Sequence, residues 1–231
     1  MKMPVGYTVF VKNSTGSILL SNLLSPGAVT DRIFTNKNSL CTPYIYTLDD
    51  EPEEGFLVPH SIAGRESSVY LSYMIDHYDD LAPYNIFIHG KEYQWHNDVG
   101  QFTPNIIKSL RLEAVSIKGY VNLRCATNVG CPSSIHQVAP ERHDMEYQYL
   151  IDALPQLFSQ FLSVDPAQAP VDLGHQCCAQ FAVTADKIRT RRKADYMRIS
   201  DWIATTDFVD QYGIGWLLEK LWHVFFGMPA V

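Results

Sequence analysis

The stretch 64–98 constrains the fold more than any other part of the chain. Gly64-Arg65-Glu66 opens it, and Tyr70, Tyr73, Met74, His77, Tyr78 and Leu81 then recur at three- and four-residue steps until Pro83. That spacing lays one apolar stripe along an α-helix. The run 85–89, ending in His89, reads as a buried strand. A helix with one apolar stripe and an apolar strand bury their surfaces against each other, which is the α/β arrangement. In such proteins the chemistry usually sits beyond the carboxyl end of a strand. Here that end carries His89 and, a few residues on, Trp95-His96-Asn97-Asp98.

The rest of the chain fits the same class. Strands are expected over 7–11, 43–48, 119–124 and 177–183, with an acidic turn over 49–55. The segment 14–39 is polar and weakly patterned, and reads as a loop with a short helix. Thr103-Pro104 is a helix start, with Thr as N-cap and Pro at the first helical position, and the helix runs to about Leu112. The segment 125–140 reads as loop. Helices are expected over 144–153 and 155–162, the second opening at Pro155. Thr184 caps a basic helix, 193–204 continues as helix, and the last helix, 214–226, ends at Gly227. We read residues 1–231 as a single α/β domain, a mixed central sheet flanked by helices with additional helices at the C-terminus.

The 46% hydrophobic and 19% charged composition is that of an ordinary globular chain. A formal charge of −7 argues against nucleic acid as a partner, because nucleic-acid binders carry a basic face. The basic run 187–193 reads as a solvated helix face. No stretch is apolar enough over 18 residues to span a membrane, and residues 1–11 lack the long apolar core and small-residue cleavage site of a signal peptide, so none is expected. Five cysteines cannot all pair within the chain, so a cytoplasmic, reducing location with mostly free thiols is expected. A homodimer stays open.

His89 and His96 are candidate acid–base groups, since a histidine titrates near neutrality. Asp98 would orient one of them. Arg65 and Glu66 stand at the N-terminus of the 64–81 helix, where an anion is favoured. Trp95, Tyr70 and Tyr73 would wall an apolar pocket. A metal site is not expected: Asp49-Asp50 and Asp79-Asp80 are adjacent pairs, and the His89-to-His96 spacing matches no standard zinc or iron signature. Cys177 and Cys178 are neighbours, and a nucleophilic cysteine paired with His175 is a minor alternative to buried thiols. No nucleophile elbow, phosphate loop or dinucleotide fingerprint is present, so no cofactor is expected.

Several segments resemble a domain of unknown function common in filamentous fungi. They are Gly64-Arg65-Glu66, His77-Tyr78-Asp79-Asp80-Leu81, Phe87-Ile88-His89-Gly90, Trp95-His96-Asn97-Asp98, Gly119-Tyr120-Val121-Asn122-Leu123-Arg124-Cys125, Gly130-Cys131-Pro132, Cys177-Cys178-Ala179-Gln180-Phe181-Ala182-Val183, Glu219, Leu221-Trp222-His223 and Phe226-Gly227. They span roughly residues 44–227. Arg124, Gln180 and His223 stand in these segments and join the candidate substrate contacts. The family in turn is similar to a divergent branch of GT-A-type glycosyltransferases, α/β proteins that use nucleotide sugars. The resemblance therefore implies a GT-A-like fold.

Three functions are weighed. The first is a cofactor-independent enzyme of fungal specialised metabolism. It would cyclise or isomerise a small apolar polyketide or terpenoid, a Diels–Alder-type pericyclic step being one form, through orientation and hydrogen bonding. The second is a nucleotide-sugar-dependent glycosyltransferase, with Asp49 or Asp50 on a metal and Arg124 or the basic helix on phosphates. The third is a non-catalytic binding protein, for which the histidines of 89–98 would be exposed and scattered.

Overall fold

The computed structural model describes residues 8–12, 43–52, 54–90, 93–128, 130–131 and 133–231. The expected loop and short helix at 14–39 lie outside the described residues, as do Cys41 and Pro132. Five strands form the main sheet: β1 (Thr8–Lys12), β2 (Pro43–Thr47), β3 (Tyr84–His89), β4 (Tyr120–Asn122) and, last in the chain, β7 (Phe181–Thr184). Their spatial order is β2-β1-β3-β7-β4. β1 pairs in parallel with both β2 and β3, whereas β7 runs antiparallel to β3 and to β4. A separate two-stranded ladder joins β5 (Ile135–His136) to β6 (Asp172–Leu173). The mixed α/β architecture is as the sequence implies.

The two-residue period of a strand divides the core. Phe87, Phe181, Val183 and Tyr120 belong to the apolar cluster on one face. The same cluster takes in α1 (Glu66–Asp76), α5 (Gln148–Leu162), α7 (Lys193–Thr205), α8 (Gln211–Glu219) and α9 (Trp222–Phe225). Tyr84, Ile86, Ile88 and Ala182 belong to the cluster on the other, with Ile106 of α2 (Thr103–Ser109) and Val115 of α3 (Leu112–Lys118). The short helices α4 (Arg142–Glu146) and α6 (Ala185–Arg189) complete the set, and the Thr184 side chain caps α6 by accepting from Lys187 N–H. Aromatic rings bind α1 to the sheet and to α9: Tyr70–Phe87 at 5.0 Å, Phe87–Phe181 at 4.9 Å and Phe181–Trp222 at 5.4 Å. Edge and tilted pairs at these spacings add to the burial of apolar area.

The structure corrects several local expectations. α1 stops at Asp76, before Pro83, and 77–80 is turn. The helix read over 103–112 ends at Ser109, because Leu110 and Arg111 are extended (φ −66°, ψ 125° and φ −99°, ψ 105°). That break lets both Ile106 and Val115 reach the same side of the sheet. Pro155 opens no helix; it lies inside α5, where it leaves the Ile151 carbonyl without its usual donor. The last helix is two helices, parted at Lys220 and Leu221. Tyr70 and Tyr73 are fully buried among these elements, so they are core and not pocket walls. Cys177 and Cys178 are joined in a disulfide, which overturns the reading of buried thiols there and removes a nucleophile from either position. Cys125 and Cys131 are free. Among the described residues no helix is long and apolar enough to cross a membrane.

Candidate active site

The carboxyl ends of β3 and β4 and the amino end of β7 lie along one edge of the sheet, because Phe87 and Asn122 both pair with Phe181. α1 runs back from this edge, so its first residues, Arg65 and Glu66, sit there too. The chain leaves β1 toward β2 on one side and leaves β3 toward β4 on the other, which makes the carboxyl ends of β1 and β3 a topological switch point.

Gln180 fastens the edge. Its Oε1 accepts from His89 N–H at 3.1 Å and its Nε2 donates to Asn97 Oδ1 at 2.9 Å. Asn97 Nδ2 donates in turn to Thr103 Oγ1 at 3.0 Å. This chain ties the loop after β3 to β7 and α2. It brings the His96 ring to 5.3 Å from His89, edge-on at 85°. His96 is buried, and its Nε2 has no hydrogen-bond partner among the described residues. Burial, followed by the Arg124 charge, pushes the His96 pKa below the ordinary value, so the ring is neutral at pH 7.

Asp98 holds a loop. Its Oδ2 accepts from Cys125 N–H at 2.6 Å and Ala126 N–H at 2.7 Å, and Oδ1 faces Arg124 Nε at 3.5 Å. Arg124 is itself buried, donating to Asn128 Oδ1 at 3.0 Å and to Cys177 Sγ. Its guanidinium lies 5.6 Å from the centre of the Trp95 ring, which is 68% exposed. Arg65 is exposed, takes φ 55° as the N-cap of α1, and stacks over Tyr212 at 5.0 Å. His223 Nε2 meets the Ala230 carbonyl at 3.3 Å, and burial holds its pKa down at about 4.

Two residues that the sequence analysis named in other contexts, His175 and Glu219, meet here. Glu219, the last residue of α8, accepts from His175 Nε2 at 3.2 Å and from the backbone N–H of Cys178. Cys178 and Ala179 have φ 85° and 47°, and this left-handed turn turns the Cys178 N–H toward the carboxylate. Burial would raise the Glu219 pKa, but the His175 hydrogen bond and the Lys220 charge outweigh it and hold Glu219 at about 2. Glu219 is therefore ionised, and His175 Nε2 carries the donated proton. His175 Nδ1 is then an acceptor, for Ser134 Oγ–H at 3.0 Å. Gly130 permits this packing, because a side chain there would collide with the His175 carbonyl. In the sequence Glu219 stands in one of the segments that carry the family resemblance and in a Glu-Lys pair inside the apolar run 214–226.

Glu66 is the counterpart of Glu219. Burial, reinforced by the Glu219 charge, raises its pKa to about 7. Two carboxyls near one another are thus split, one ionised and one poised to exchange a proton at neutral pH. Such a split marks acid–base assignments in enzymes. Glu219 lines a cleft of about 550 Å³, together with Tyr120, Arg124, His175, Trp222 and His223 among others; Glu66 is not among the lining residues. Trp222 Nε1 and Tyr70 Oη, both buried, also lack hydrogen-bond partners among the described residues. Native buried polar groups are nearly always paired, so such orphans concentrate where water or ligand belongs.

Among the described residues no three His, Cys, Asp or Glu side chains gather to hold a metal ion. Asp49 accepts from Thr47 Oγ1 at 2.8 Å and Asp50 is exposed. Neither aspartate joins a group of three such side chains among the described residues.

Fold and site define an α/β protein with a titratable polar cluster at the switch-point edge of a mixed sheet. The chain belongs to the family described as "Protein of unknown function (DUF3431)", whose model matches residues 30–231. No curated protein and no solved structure matches it.

Proposed function

We propose that the chain is an enzyme that transfers a glycosyl group from a nucleotide sugar to a hydroxyl acceptor. The observation that carries this is the pair Glu66 and Glu219, split in ionisation at the switch-point edge, where open α/β sheets bind nucleotide-bearing ligands. Deprotonated Glu66 takes the acceptor hydroxyl proton. The acceptor oxygen forms a bond to the anomeric carbon, and the bond from that carbon to the diphosphate oxygen breaks with its electron pair going to the phosphate. Ionised Glu219 stabilises the positive charge that develops on the sugar. Lys118 and Arg124, which line the cleft, face the charge on the leaving group. The net charge of −7 argues against nucleic acid as the acceptor.

A second reading has one observation of its own. Tyr120 and Trp222 give the cleft apolar walls beside a proton-exchanging carboxyl. That combination suits the cofactor-independent cyclisation or isomerisation of an apolar substrate, with Glu66 shuttling the proton and His96 as a neutral hydrogen-bonding group.

Thermal unfolding with a panel of nucleotide sugars separates the two. A ligand at a hundred times its dissociation constant adds about 2.7 kcal/mol, which for a domain of this size raises the midpoint by roughly 5–10 °C. A shift with one nucleotide sugar that is lost in Glu219→Gln supports transfer. No shift with any of them removes the transferase.

A further inference from the structure

We infer that Cys177 and Cys178 form a thiol–disulfide exchange site: a dithiol reductant opens their bond, and the opening releases the turn that spaces His175 from Gln180. The switch acts on the cleft whichever reaction the cleft supports. A disulfide stabilises a fold mainly by closing a long loop, because it then removes chain entropy from the unfolded state. Cys177 and Cys178 are neighbours in sequence, so their bond closes no loop and is no staple of the fold. Its effect is local. It joins the two side chains into a small ring through the peptide bond between them, and the backbone there takes φ 85° at Cys178 and 47° at Ala179. Consecutive left-handed φ values at residues other than glycine cost free energy and persist only where the surroundings over-determine them. The ring supplies part of that constraint. Arg124 supplies another part, its Nη1 donating to Cys177 Sγ and lying 3.8 Å from Cys178 Sγ. The flanks are tied to β4 and the residue after it: Asn122 Nδ2 donates to the Gln176 carbonyl at 3.0 Å, and Leu123 N–H to the Gln180 carbonyl at 2.9 Å. The turn therefore sets the spacing between His175, which holds Glu219, and Gln180, which holds His89 and Asn97.

The exchange balances with a dithiol as co-reactant. One thiolate of the reductant attacks Cys178 Sγ, the sulfur–sulfur bond breaks, and its electron pair leaves on Cys177 as a thiolate. The second thiol of the reductant then attacks the mixed disulfide and frees Cys178. The reductant ends as a disulfide, and its two protons end on Cys177 and Cys178. The site sets the direction of attack. The Arg124 guanidinium against Cys177 stabilises the leaving thiolate, and Cys178 is the less buried sulfur-bearing residue, 9% exposed against 4%. Gln176 and Ala179, on either side of the pair, line the cleft, so the bond stands directly behind the cleft wall and the reductant approaches from there. Once reduced, the two side chains no longer form a ring, and the turn loses what holds Cys178 and Ala179 at positive φ. Disulfides under such local constraint are the labile and regulatory ones.

The test is thiol labelling and amide hydrogen exchange on the full chain, purified without reductant. Denaturing in N-ethylmaleimide before any reductant should leave Cys177 and Cys178 unlabelled in the peptide mass spectrum. Treating the native chain with dithiothreitol before the same step should label both. In the chain so reduced, the His89 amide, which donates to Gln180 Oε1, and the Leu123 amide, which donates to the Gln180 carbonyl, should exchange about tenfold faster by NMR. The His77 amide, bonded to the Tyr73 carbonyl at the far end of α1, should keep its rate, which separates release of the turn from unfolding of the domain. A Cys177→Ser, Cys178→Ser double variant should match the reduced chain and lose all response to dithiothreitol; if it does not fold, the reduced chain decides alone. Labels on the pair before reductant, no labels after native treatment, labels without faster exchange at His89 and Leu123, or equal acceleration at His77 each overturn the proposal. None of these readouts depends on a nucleotide sugar, so the transferase reading stands or falls separately.

Discussion

Tyr70 and Tyr73 lie one turn apart on the same helix, both fully buried, and they meet opposite fates. Tyr73 points its hydroxyl to Asn85 Oδ1 at 2.9 Å, and Asn85 Nδ2 passes the bond on to the Ala82 carbonyl at 2.9 Å. That end of the helix–strand unit is closed. Tyr70, nearer the edge with Glu66 and Trp222, has a hydroxyl without a partner, and burial drives its pKa well above the ordinary value. The contrast is between a satisfied and an unsatisfied buried hydroxyl within one layer of the molecule. A satisfied buried polar group holds a fold together, whereas an unsatisfied one costs stability and persists where a ligand or a reaction uses it.

The comparison breaks most sharply at Glu66. Glu66→Gln keeps the size and loses the proton exchange, so turnover should fall by roughly 10²–10⁴ while the fold persists, as read by circular dichroism beside a transfer assay. Retained turnover would sink the acid–base assignment. At the closed end the effect falls on stability instead. Asn85→Leu takes away both the acceptor of Tyr73 and the donor to Ala82, and urea unfolding should show a loss of roughly 2–4 kcal/mol. Tyr73→Phe removes one buried bond and should cost about 1 kcal/mol. Tyr70→Phe should change stability by less than about 0.5 kcal/mol, because no hydrogen bond is lost. If Tyr70→Phe were as costly as Tyr73→Phe, the two ends would be alike and the contrast would be void.

The pH dependence sharpens the same point through its sign. Glu66 has a folded pKa raised from 4.5 to about 7, so the native state holds the extra proton and stability falls as pH rises across that window. Glu219 has its folded pKa lowered from 4.5 to about 2, so its contribution is full above 4.5 and is lost as pH falls toward 2. Unfolding midpoints against pH should therefore slope down on both sides of about 4.5. Glu66→Gln should flatten only the upper limb and Glu219→Gln only the lower one.

Much of the frame was legible in the chain. The stripe from Tyr70 to Leu81 and the run ending in His89 specified a helix feeding a buried strand, and Thr184 announced the cap it provides. The boundaries were less legible. Pro155 reads as a helix start by itself, yet packing of Leu150, Leu154 and Phe158 carries the helix through it. The 214–226 run looks continuous because its apolar content is even, and only the split at Lys220 puts Glu219 at a helix end facing the cleft. At the site, His89, His96 and Trp95 were picked out by their cluster, and they do lie together. Tyr70 and Tyr73 were assigned to a pocket wall from aromatic character alone, which cannot tell a core ring from a lining one.

What the chain determines by itself is local: which segments are helix or strand and which side chains stand at the end of β3. Those follow from periods of 3.6 and two residues and from end-capping chemistry, which need no distant partner. The tertiary structure alone decided that His175 meets Glu219 across 44 positions of sequence, and that Glu66 from the first helix shares their neighbourhood. It alone split the two carboxyls, because a pKa is set by burial and by the charges around it, and those belong to the packed molecule and not to any one segment.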